Sequence, residues 1–477
     1  MVGYGGEMES TDAGFEVPPT GLEPLAHHQG QLLSRTERAA VGRERRQVAR
    51  RSSHGVWSAN VHRRDPLAIL GDQNRRRFPD LLPLRWGRMV ASPFTFFRGA
   101  AAVMAADLAD SPVTGLAVQA CGDAHCANFG LFASPERHLL FDLNDFDETL
   151  PGPWEWDVKR LAASLVLAGR DNGYTAAEST SSAIEAMEGY RQAMANFSQL
   201  SQLEIWYSKV DIDEVLPLLP LDQQKQTTKT VLKARSHTTF QALEKLTELV
   251  DGHRRIKDDP PLVEHLPDTT TDYAVRTVLD RYRESLAEDR LILFEKFEVI
   301  DVARKVVGVG SVGTHCFIAL CSADSTDDDP LFLQIKEANL SVLESWLPSS
   351  RHSNHGERVV VGQRLMQAAS DQFLGWTKFR DRHFYVRQLR DMKGSANLGR
   401  MTPSSLQLYG SICGTTLARA HARSGDAVAI SAYLGEGDGF ARAIASFANA
   451  YSDQTERDHA ALRLAIDEGR IEALEGI

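Results

Sequence analysis

The spacing of apolar positions divides the chain into a helical part, a short strand-rich part and a second helical part. Residues 96–108, FFRGAAAVMAADL, place Ala and Met at good helix-forming positions and predict a helix. An apolar run at 116–120 predicts a strand that leads into GDAHCANFG, and a second at 138–143 runs into NDFDE. Helical spacing returns over about 156–170 and 176–197, and residues 205–296 read as mainly helical and charged, with a polar break at 258–261. Between 297 and 386 β-branched and aromatic residues cluster in VARKVVGVG, THCFIALC, LFLQIKEA and HFYVRQL. They predict four short strands with one helix, at about 357–369, among them. From 404 onward the pattern is helical again, most clearly in LARAHARSGD and FARAIASFANAYSDQ, and no internal repeat is evident.

This order predicts an α+β fold. The expected divisions are a disordered tail 1–40, a basic wrap 41–95, a first helical part 96–296, a β-rich segment 297–392 and closing helices 393–477. With 43% hydrophobic residues and a net charge of -11, the composition is that of a globular protein without general affinity for nucleic acid or anionic membranes. The arginine-rich run from Arg43 to Arg77 therefore reads as a solvated or intramolecularly paired face. Five cysteines, an odd number, do not form a disulfide framework, and the pairs Cys121/Cys126 and Cys316/Cys321 read as buried thiols beside strands. No stretch reaches about 18 apolar residues and no secretion signal opens the chain, so a cytoplasmic protein without a membrane span is expected.

Two constellations carry chemistry. GDAHCANFG and FDLNDFDE each set acidic or amide side chains directly after a strand, bringing Asp123, Asn128 and Asp145 towards one edge. Phosphoryl transfer needs a carboxylate to orient the attacking hydroxyl, and a carboxylate with an amide oxygen to hold magnesium. Asp142 and Asp147 are rivals for the metal role. The second constellation is Gly308, Gly310 and Gly313, a GxGxxG followed by a strand rather than a helix, which suits a loop covering phosphates between two strands. The next strand presents Lys336 as a phosphate-pairing lysine, with Glu357 as its expected acidic partner and Glu337, on the opposite face, as the weaker choice.

GDAHCANFG resembles the catalytic loop H-G-D-x-H-x-x-N of the aminoglycoside-phosphotransferase and choline-kinase branch of kinase-like proteins, and NDFDE resembles its metal-binding element. The resemblance implies Asp123 as base or orienter, Asn128 and Asp145 as metal ligands, His125 as loop-structuring, and Asp157 as the aspartate that braces the loop. Cys121 stands where that pattern has histidine. In kinases the glycine loop and lysine precede the acidic loops, whereas here they follow them. The resemblance thus implies a circularly permuted two-lobe fold, with a large helical lobe and a small antiparallel lobe, that binds ATP and Mg2+. His421 and Asp426 read as structural residues of its C-terminal helices, and Arg98 as a candidate anion contact or as a partner of Asp107 or Asp145. RMVASPFTFFRGAA, GDAHCANFG, FDLNDFDETLPGPWEWDVKRLAAS and LARAHARSGD also resemble the bacterial DUF2252 family over nearly all of the chain after about residue 40. The expected activity is an ATP/Mg-dependent phosphotransferase acting on a small molecule or protein hydroxyl. The alternatives are a metal-dependent phosphoesterase, for which further metal-binding blocks are missing, and a nucleotide-binding pseudokinase or AMP-transferase.

Overall fold

The computed structural model describes residues 27–28, 31–236, 239–266, 269–324, 329–389 and 392–477. Most of the expected disordered tail lies outside these residues, but helix α1 (Arg35–Val48) begins within its span. A capping box starts it, with Ser34 and Glu37 satisfying each other's backbone amides. Helices α2 (Pro66–Asn74), α3 (Leu82–Val90), α4 (Pro93–Arg98) and α5 (Ala101–Leu108) follow. The single helix expected at 96–108 is broken at Gly99, where a Cβ would lie 2.8 Å from the Met89 sulfur.

Four short strands then form two antiparallel ribbons: β1 (Ala117–Ala120) with β4 (Leu150–Pro153), and β2 (Phe129–Ala133) with β3 (Leu139–Leu143). The strands that precede the two acidic loops were expected side by side, yet they belong to different ribbons. The reason is β4, whose sequence LPGP does not read as a strand, although an edge strand tolerates its prolines. Helices α6 (Trp154–Asp171) and α7 (Ala176–Phe197) follow close to the predicted positions.

The strand-rich part is an antiparallel meander of β5 (Glu298–Lys305), β6 (Cys316–Ser322) and β7 (Pro330–Ala338), then α8 (His355–Met366), then the hairpin β8 (Gly375–Phe379) and β9 (Arg382–Gln388). β9 pairs with β7, and the short strand Val263–Glu264 closes the other edge, giving a six-stranded sheet. β8, GWTKF, is the strand that apolar patterning did not show. Helix Thr269–Tyr282 covers one face of the sheet with Val275, Val278, Leu279 and Tyr282. Leu243 and Ile256 pack on the other face against Ile318, Leu320 and Phe332. Residues 243–266 and 269–294, read as part of the first helical stretch, therefore build the small unit.

Helices α9 (Pro403–Ala422), α10 (Ala427–Leu434) and α11 (Gly439–Asp467) return to the large unit. α9 crosses α7 so closely that a Cβ on Gly414 would lie 1.9 Å from the Ala186 carbonyl oxygen. Phe97, Leu161, Met187, Leu417 and Phe447 thus share one core drawn from both ends of the chain. The arginines of the N-terminal segment are largely paired within the molecule. Arg38 pairs with Asp426 at 2.7 Å, and Arg63 bridges Asp107 and Asp458 at 2.7 Å each. All five cysteines are free and buried. Among the described residues no helix is long and apolar enough to cross a membrane.

Candidate active site

The first loop leaves β1 through Gly122, whose φ of 78° favours glycine and whose missing Cβ would meet the Glu148 carbonyl oxygen at 2.4 Å. Asp157, in the first turn of α6, accepts from the backbone amides of Cys121 at 2.6 Å and Gly122 at 2.9 Å. On the far side His421 of α9 lies 3.2 Å from Asp157 and 2.9 Å from the Tyr190 hydroxyl. The C-terminal helices thereby fix the brace that holds the first loop, and His421 serves structure. Asp426 does likewise, capping α10.

Asp123 extends from this braced turn. Arg160, one helical turn beyond Asp157, donates to its Oδ1 at 2.7 Å and also to the Phe97 carbonyl at 2.9 Å. Burial pushes the Asp123 carboxyl up to about 6, with Arg160 pulling the other way. His125 lies 3.8 Å from the second Asp123 oxygen. Burial, followed by Arg98 and Arg160, holds His125 well below its ordinary range and leaves it neutral.

Asn128 joins the two acidic loops. Its Nδ2 donates to the carbonyl oxygens of Asp123 at 3.1 Å and Asp145 at 3.0 Å. With the amide hydrogens committed to carbonyls, Oδ1 is the atom that remains for a cation. Asp145 is half-buried, its Oδ1 accepting from the Asp147 amide at 3.2 Å.

Lys336 lies on the face of β7 that also carries Phe332 and Gln334, and it reaches the second loop. Its Nζ lies 2.5 Å from Asp147 and 3.4 Å from Asp145. Burial opposes its charge, but the two carboxylates outweigh burial and hold the ammonium protonated. Asp147 is also reached by the Tyr385 hydroxyl at 2.9 Å and by Ser311 of the glycine loop at 3.3 Å. Burial would raise the Asp147 carboxyl; Lys336 and Tyr385 reverse this and lower it.

The expected pair between Lys336 and Glu357 does not form. Glu357 meets His352 at 3.3 Å, and its neighbour Arg358 faces the second loop instead, donating to the Thr149 and Asp147 carbonyls at 2.7 and 2.8 Å. One residue along a helix is about 100° around its axis, enough to exchange these roles. Glu337 points to the other face, where it meets His315 at 2.8 Å and Arg382 at 2.6 Å. Asp142 is no rival for a metal either, because Arg419 holds it at 2.6 Å in the core.

The glycine loop joins β5 to β6 and is tied down on the large unit. Arg88 donates to the Gly308 carbonyl at 2.7 Å, the Phe78 amide to the Gly313 carbonyl at 2.7 Å, and Arg77 to the Val312 carbonyl. Gly310 approaches the Arg98 carbonyl oxygen, which a Cβ would meet at 3.6 Å. Between this loop and the second loop opens a cleft of about 540 Å³, lined among others by Arg76, Arg77, Asp147, Glu148 and Ser311. Burial pushes Glu148 up to about 7.

The structure thus gathers Asp123, Asn128, Asp145, Lys336 and the glycine loop, and leaves Glu357 outside. Sequence reasoning passed over Arg160, Ser311, Tyr385 and the pairing role of Asp147. Arg160 had a legible signal, its place one turn after Asp157 on the same helix face. Tyr385 had none beyond its strand. Neither a curated protein nor a solved structure matches this chain. Residues 77–465, which include both constellations, match the family DUF2252, an uncharacterized protein conserved in bacteria, and the chain belongs to that family.

Proposed function

We propose that this chain is a circularly permuted, kinase-like phosphotransferase that binds ATP with magnesium between the acidic loops and the glycine loop. The observation that carries the reading is the meeting of Lys336 with Asp147 and Asp145. A lysine from the second strand after the glycine loop comes to the acidic loop that precedes it in sequence, as one phosphate site requires. Asn128 Oδ1 and the Asp145 carboxylate are hard oxygen ligands suited to magnesium, which would neutralise phosphate charge. Among the described residues no group of three or more His, Cys, Asp or Glu side chains is arranged to hold a metal ion. That favours an ion held partly by a ligand's own oxygens over a protein-enclosed metal pair. Lys336 would pair with phosphate oxygens, and the backbone at Gly308, Gly310 and Gly313 would cover them. Asp123 would orient an acceptor hydroxyl through Oδ2, the oxygen that Arg160 does not engage.

The test is a thermal-shift titration with ATP, with and without magnesium. Ligand at about a hundred times its Kd adds roughly 2.7 kcal/mol to stability. A magnesium-dependent shift is expected in the wild type and a weaker one in both Asp145→Ala and Lys336→Ala. If no nucleotide stabilises the wild type while manganese or zinc alone does, the reading fails and a metal-dependent phosphoesterase takes its place.

A further inference from the structure

Arginines around the first loop are engaged, with one exception. Arg160 holds Asp123 and stacks 4.1 Å from the Phe97 ring, Arg63 bridges Asp107 and Asp458, and Arg88 holds the Gly308 carbonyl. Arg98, the last residue of α4, makes no hydrogen bond, ion pair or ring contact among the described residues. Its Nε is sealed from solvent without a partner. Asp107 and Asp145, its expected carboxylate partners, are taken by Arg63 and Lys336.

The groups that face the Arg98 guanidinium are Asp123, Cys126 and His125 of the first loop and Arg88 of α3. His125 is neutral, and Asp123 is already committed to Arg160. Two guanidiniums, Arg160 and Arg98, therefore share one carboxylate. A half-buried cation with no carboxylate of its own is unfavourable for the folded chain, and a phosphate oxyanion is a strong compensating partner for a guanidinium. The position is suited to such a ligand, since the Arg98 carbonyl lies near Gly310 and its guanidinium near Asp123 and Cys126 of the first loop.

We propose that Arg98 binds the anionic end of the ligand, a phosphate group presented between the glycine loop and Asp123. On the phosphotransferase reading this is the group transferred, and the identity of the phosphate rests on that reading while the anion site does not.

The experiment uses the full chain as wild type, Arg98→Met, Arg98→Lys and the control Arg442→Met, an exposed arginine of α11. Thermal shift is followed with inorganic tripolyphosphate without metal, and separately with ATP and magnesium. Without ligand, Arg98→Met is expected to melt at or above the wild-type temperature, because it removes an uncompensated charge. A residue with a merely structural role would lower it. With tripolyphosphate, Arg98→Met should lose about tenfold or more in apparent affinity, Arg98→Lys should fall between, and Arg442→Met should match the wild type. The proposal is overturned if tripolyphosphate stabilises Arg98→Met as much as the wild type, or stabilises neither. An Arg98-dependent response to tripolyphosphate with no response to ATP and magnesium supports the anion site and removes the nucleotide reading. An ATP response that depends on Asp145 and Lys336 but not on Arg98 does the reverse.

Discussion

Sealing an imidazole from water removes its ordinary readiness to take up a proton, and His54 is so sealed. It lies in the short turn Arg51–Gly55, with Nε2 2.7 Å from the Tyr433 hydroxyl and Nδ1 buried without a partner. Burial, followed by the charge of Lys159, lowers its pKa from the ordinary 6.5 to about 3. The sign follows directly: below the ordinary value the unfolded chain gains a proton that the folded chain refuses, so stability falls as pH drops through that window. One such group contributes a slope of up to about 1.36 kcal/mol per pH unit. Denaturant unfolding at about pH 6.5 and about pH 5 should show the wild type losing roughly 1–2 kcal/mol more than His54→Gln. Parallel losses would remove His54 as the cause. At this scale the site was partly legible. Asp123, Asn128, Asp145 and Asp157 could be numbered because their spacing after strands is local information. Whether Asp145 or Asp147 lies nearer Lys336 depends on how the loop curls through the bond from the Asp147 amide to Asp145, which spacing does not encode.

Three elements from distant parts of the chain meet at one buried guanidinium. Arg419 of α9 reaches both oxygens of Asp142 on β3, at 2.6 and 2.8 Å, and the Met366 carbonyl at the end of α8, at 2.7 Å. Asp142 accepts a further bond from the Ala368 amide at 2.9 Å. Removing one partner of such a pair strands the other in the core, at a cost of about 3–5 kcal/mol, whereas apolar replacement of both is much milder. Arg419→Leu is therefore expected to unfold at clearly lower urea than the wild type. The double variant Arg419→Leu, Asp142→Leu should recover part of the loss; a double variant as unstable as the sum of the two singles would show that the pair is not the unit. Elements with their own periodicity, such as α6, α7 and β7, were legible in the sequence. β4 was hidden by its prolines. Helix Thr269–Tyr282 shows an apolar stripe, but a stripe says that a face is covered and not by what, so the helix was assigned to the wrong unit.

The large unit is assembled from both ends of the chain, and the small unit is inserted between them. α1 packs on α10, the Arg51–Gly55 turn packs on α11, and α9 and α11 pack on α7 and α6. Arg38 to Asp426 and Arg46 to the Tyr433 carbonyl tie the same surfaces together. None of these contacts depends on which half of the chain comes first. Two connections run between the units, one entering the small unit before Leu243 and one leaving it after β9. A chain opened within the small unit, between helix Glu288–Phe294 and β5, with residues 298–477 followed by a Gly/Ser linker and residues 1–297, places the glycine loop and Lys336 ahead of the acidic loops. Joining ends through a long flexible segment costs little, since closure entropy grows only slowly with length. The rearranged protein is therefore expected to unfold cooperatively, with a melting temperature somewhat below the natural one and the same response to ATP and magnesium, weakened by Asp145→Ala as before. A rearranged chain that folds cooperatively but loses the response would mean that the tie between β5 and helix Glu288–Phe294 positions the glycine loop. One that does not fold would show that the natural order, and not only the set of contacts, holds the two ends of the large unit together.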